Sequence, residues 1–115
     1  MPEHKVILMR DGLSMICRRC ALAHELAHRE LGHRHHVGRG SNARNADQEI
    51  EARQWAARRL ITVAELAAAT AATCSPREMA LYLFVTPVVL SDRLAHLHPA
   101  ERAYLRRATA PKESS

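Results

Sequence analysis

Three helix-start signatures fall in one short part of the chain and constrain how its second half can fold. Thr62 with Glu65 and Ser75 with Glu78 match the capping box, in which two side chains satisfy the orphan N–H groups at a helix start. Thr86 followed by Pro87 matches an N-cap with proline at the first helical position. Together they predict helices beginning near 63, 76 and 87, with a last short one near Pro99. Helical periodicity also runs from about Ser14 to Leu31, where Gly32 is a C-terminal stop, and from Asp47 to about Leu60. One stretch reads differently. HKVILM at 4–9 is a Val- and Ile-rich run closed by Asp11-Gly12, and it predicts a strand and a turn. Residues 33–46 hold two of the 4 glycines and no apolar period, which predicts an exposed, mobile loop.

With 115 residues, 47% hydrophobic but only 3% aromatic, the chain can bury one modest core built from Leu, Ala, Val, Ile and Met. The expected fold is therefore a small α+β domain, mostly helical, with a short strand or small sheet beside the helix that contains residues 21–31. We expect a single domain over 1–110, a core at 4–61 under a helical cap at 62–107, and a disordered tail at 108–115. No apolar run approaches the roughly 20 residues that span a bilayer. The N-terminus lacks an apolar h-region with a small-residue cleavage site, so no secretory signal is read there. The 3 cysteines fit a reducing cytosol better than a disulfide framework, and a cytoplasmic protein is expected. A net charge of +5 is compatible with nucleic-acid contact without requiring it, since the arginines are spread along the whole chain.

The chemistry concentrates in ALAHELAHRELGH at 21–33. On a helix, positions i and i+4 lie one above the other, so His24 and His28 can aim their imidazoles at one ion. Glu25 sits beside that ion without ligating it, placed to take a proton from water that a metal has activated. Because a chain with 8 histidines can produce H-E-x-x-H by chance, the third ligand decides. The candidates are the loop histidines His33, His35 and His36, and the acidic residues Glu49 and Glu51 of the next helix. At about 100° per residue, Glu49 shares a face with Ala52, Ala56 and Leu60, whereas Glu51 lies roughly opposite. A carboxylate on a packed face is costly unless a cation compensates it. Glu49 is the better ligand.

These residues carry a resemblance. ALAHELAHRELGH followed by EIEARQWAARRLI at 49–61 closely resembles the ImmA/IrrE family of metallopeptidases. That family shows a strand, an HELGH-like helix and a helix of the form E-x-E-A-[DN]-x-F-A-A, and HKVILM stands where the strand would be. The match covers most of residues 4–61 and implies His24, His28 and Glu49 as zinc (Zn2+) ligands with Glu25 as general base. The helical geometry selects the same glutamate. The resemblance further implies an intracellular zinc-dependent endopeptidase cleaving a helix-turn-helix transcriptional repressor, in phage or mobile-element immunity or a stress response. Substrate is expected to add along the exposed strand.

Two departures from the family pattern stand out. Its Asp or Asn one turn after the ligand glutamate is Arg53 here, and loss of such a partner typically weakens metal binding or activity about 10–100-fold. The chain also starts almost at the strand, so a second copy or a partner is expected to supply a sheet neighbour. Both departures open a second reading: a weak or inactive member that acts by binding a repressor or nucleic acid.

Other candidates carry less. Cys17 and Cys20 share the face of His24 and His28, but four ligands on one straight helix span about 16 Å of rise, against a coordination radius of about 2 Å. Core packing is expected for this pair, a structural place for Cys74, and a solvated loop for His33, His35 and His36. Trp55 reads as a core aromatic. SPREMALYLFVTPVVLSDRLAHL at 75–97 has a helix-turn-helix look, yet Val88, Val89, Ser91 and Asp92 suit neither phosphates nor base edges, and only Arg93 suits DNA. A helical cap is expected there.

Overall fold

A computed structural model of the chain describes the backbone of residues 2–110, with side chains at 12 and from 14 to 110. Residues 111–115, most of the expected tail, lie outside the described residues. Among the described residues there are six helices and no strand: α1 Pro2–Glu30, α2 Ser41–Leu60, α3 Val63–Ala72, α4 Pro76–Tyr82, α5 Pro87–Ala95 and α6 Pro99–Thr109. The class is helical, not α+β.

The strand expected at 4–9 belongs to α1, which continues through Asp11-Gly12 without a turn. An extended segment needs a neighbour for its N–H and C=O groups, and no described segment offers one, whereas a helix pairs them internally. Against that, the strand preference of Val and Ile is a context effect of about 1 kcal/mol, and one mid-helix glycine costs about as much. With the strand goes the expected edge for strand-wise addition of substrate or of a second copy.

The later helices begin where the cap signatures place them. Thr62 accepts from the Glu65 N–H at 3.1 Å while the Glu65 carboxylate accepts from the Thr62 N–H at 3.0 Å. Ser75 makes only half of its box, because the Glu78 carboxylate accepts from the Thr73 hydroxyl at 2.7 Å instead. Thr86 accepts from Val89 N–H at 3.3 Å, ahead of Pro87.

The α1–α2 pair organises the molecule. Ile16, Cys20, Ala23 and Ala27 recur every three or four residues and form the buried stripe of α1. They meet Ala52, Ala56 and Leu60 of α2 in one core cluster, and small side chains on both helices allow close approach. On the other side α5 packs against α2, α6 against α3, and α4 joins α3 to α5. Trp55 is half-buried against this core, with the Arg59 guanidinium 5.5 Å from its ring centroid.

Two arginines tie the helix ends together. Arg19 of α1 donates to the carbonyls of Leu83, Phe84 and Leu60 at 3.2, 2.6 and 3.4 Å, holding the end of α2 and the α4–α5 turn. Phe84 in that turn takes a left-handed φ of 57°, a conformation that closes α4 through the Val85 N–H to Ala80 C=O bond of 3.0 Å. Arg93 is 2% exposed, donates to the Ile61 carbonyl at 2.8 Å and pairs with Glu101 of α6. Its role is internal, and its side chain offers nothing to DNA. No described helix is long and apolar enough to cross a membrane.

Candidate metal centre

The end of α1 sets the site. Gly32 adopts φ 67° and closes the helix with a double bond pattern: Gly32 N–H to Arg29 C=O at 3.2 Å and His33 N–H to His28 C=O at 2.9 Å. α2 starts at Ser41, earlier than the periodicity suggests, so the connecting segment is shorter than the loop expected at 33–46. That segment is also held. Gln48 accepts from the Arg34 N–H and donates to its C=O, and Asn45 does the same for His36, at 2.7–3.0 Å.

His24 and His28, one turn apart on α1, meet Glu49 from the first half of α2. His24 Nε2 lies 2.6 Å from Glu49 Oε1, His28 Nε2 lies 3.2 Å from Glu49 Oε2, and the two Nε2 atoms are 3.1 Å apart. Taking one ligand atom from each residue, all three lie within 4.8 Å of one another. Ligands about 2.0–2.1 Å from a tetrahedral ion sit about 3.3 Å from each other, against 3.1 and 3.2 Å for two of the contacts here and 2.6 Å for the third. Two imidazoles and one carboxylate also form the nitrogen–oxygen donor set that suits zinc. The residues fit a divalent metal. Glu49 lies in line with the buried Ala52 and Ala56 but is still 49% exposed, so it stands at the rim of the packed face rather than within it.

Beside the cluster lies an open cleft of about 390 Å³, bordered by His24, Glu25, Arg53, Val88, Val89 and Asp92. Glu25 is exposed there, one residue from a candidate ligand and not part of the cluster. Arg53 is bound by Asp92 of α5 through Nε to Oδ2 at 3.0 Å and Nη2 to Oδ1 at 2.8 Å. These bonds and the Asp92 charge raise the Arg53 pKa further, with a smaller contribution from Glu49. The Arg53 charge beside the cluster is therefore neutralised from α5, by a residue 39 positions away, a partnership no local spacing reveals.

Other sequence candidates separate. Cys20 is buried in the core but Cys17 is exposed, and both are free. His35 is exposed, and His36 is held through its backbone alone. His33, expected to be solvated, is largely buried at 9% side-chain exposure, its ring against that of His28. The Gly32 stop carries the signal for this contact, because such a helix ending folds the residue after the glycine back beside the one five before it.

A family model described as the IrrE N-terminal-like domain, Peptidase_M78, matches residues 1–95. The chain belongs to this peptidase family. In Peptidase_M78 terms the match takes in α1 to α5 and so includes the whole cluster and the cleft beside it. Comparison with curated proteins and with solved structures gives no match.

Proposed function

We propose that this Peptidase_M78 chain is a cytoplasmic zinc-dependent endopeptidase of the ImmA/IrrE type. The observation that carries the reading is the convergence of His24, His28 and Glu49 on one point beside a cleft that Glu25 borders. A divalent ion held there by His24, His28 and Glu49 would supply Lewis acidity for amide hydrolysis. Glu25 takes the proton of the attacking water on its carboxylate and returns it to the departing amine. His24 and His28 keep their Nε2 lone pairs turned toward the centre because both rings rise from one face of α1. Val88, Val89 and Ala56 form an apolar wall suited to a substrate side chain and unfavourable to water.

The proposed substrate is a helix-turn-helix transcriptional repressor, in phage or mobile-element immunity or a stress response. The ImmA/IrrE resemblance supports this part. Co-expression with a helix-turn-helix repressor encoded beside this chain should yield a fragment that is absent with Glu25→Gln. Binding of that repressor by the unmodified chain without cleavage would instead favour a regulatory binding module, the reading that Arg53 in place of a carboxylate or amide supports.

A further inference from the structure

We infer that His33 is a positioning residue of the metal centre: it orients the His28 ring and selects its tautomer, and Glu51 orients His33 in turn. The inference rests on the metal reading of His24, His28 and Glu49. His28 Nδ1, the nitrogen facing away from the cluster, lies 3.0 Å from His33 Nδ1, with the two rings at 63°. At its other end His33 Nε2 is buried without a hydrogen-bond partner, 3.6 Å from Glu51 Oε2.

Metal ligation assigns every proton along this chain of contacts. To present its Nε2 lone pair, a neutral His28 must carry its hydrogen on Nδ1. That N–H then donates to the Nδ1 lone pair of His33, which in turn leaves the hydrogen of His33 on Nε2, the nitrogen 3.6 Å from the Glu51 carboxylate. Donors and acceptors match in one direction only. Ligand histidines commonly donate their second N–H to an acceptor, and here the His33 nitrogen stands in that place.

A purely structural role accounts for His33 poorly. The position after the helix-ending glycine usually makes an apolar contact with the residue five before it. A leucine would make that contact without burying a nitrogen that lacks a hydrogen-bond partner. Glu51 has no other side-chain partner among the described residues.

The test is zinc affinity by chelator competition on the full chain, alongside the thermal midpoint of the metal-free protein. His33→Leu should weaken zinc binding about 10–100-fold while the metal-free midpoint stays near that of the unmodified protein. His33→Asn, whose Oδ1 can stand where Nδ1 stands, should recover most of the affinity. Glu51→Ala, at an exposed position, should lose on the order of threefold. Unchanged zinc affinity in a folded His33→Leu variant overturns the inference and leaves the metal reading intact. If His33→Leu does not fold, unchanged affinity in Glu51→Ala overturns it. An unmodified chain that binds no zinc removes both.

Discussion

Arg53 and Asp92 meet through two parallel hydrogen bonds, at 3.0 and 2.8 Å, between α2 and α5. Arg53 occupies the position one turn beyond Glu49, where a cation works against metal binding. The bidentate geometry turns that cation toward Asp92 and cancels its charge beside the cleft.

Removing Asp92 should therefore harm the metal site more than the fold. An ion pair whose arginine is 46% exposed contributes at most about 1 kcal/mol to stability. Asp92→Ala leaves the Arg53 charge uncompensated near Glu49 and should weaken zinc binding about fivefold. The double variant Arg53→Ala/Asp92→Ala should restore the affinity. Chelator competition on the three proteins checks this, and an equally weak double variant would assign the loss to a structural change.

Packing and site are coupled through α2. Ala56 is 3% exposed in the seam with α1, so Ala56→Leu should overpack it and destabilise the protein by about 1–3 kcal/mol. The same substitution pushes Glu49 away from His24 and His28, so zinc affinity should fall together with the urea midpoint of the metal-free protein. A loss of stability with unchanged affinity would show that the Glu49 position does not depend on this seam.

Glu101 is a stability centre remote from the site. Arg93 and Arg58 donate to its carboxylate, and the His98 N–H donates at 3.0 Å. The Arg93 bonds, followed by those from His98 and Arg58, hold its carboxyl far below the ordinary range of about 4.3. A carboxyl depressed on folding stabilises above its unfolded pKa, and the contribution is lost as pH falls through the acid range. Glu101→Gln leaves the buried Arg93 without its counter-ion and should cost about 3 kcal/mol at pH 7. The gap in thermal midpoint between variant and unmodified protein should shrink as pH drops from about 5 toward 3.

What could be read from the residues alone divides by range. The starts of α3, α4 and α5 are legible because each cap involves groups three residues apart, and that of α6 because proline suits a first helical position. Glu49 is legible because the helical period alone places it on the face of Ala52 and Ala56. HKVILM was misleading, since its residue types favour a strand only where a neighbouring strand exists to pair with it. Asp92 as partner of Arg53, and Glu101 as partner of Arg58, were out of reach, because helices 39 and 43 positions apart in sequence meet only through the packing of α5 and α6. His33 lies between these cases: Gly32 marks the helix end, but the meaning of that contact depends on what His28 does with its other nitrogen.

The most direct measurement is the metal content of protein purified without a polyhistidine tag. The unmodified chain should carry about one zinc, as a site of three protein ligands requires. His24→Ala and Glu49→Ala should each be folded and metal-free. One zinc per chain retained in both variants would contradict the centre assigned to His24, His28 and Glu49.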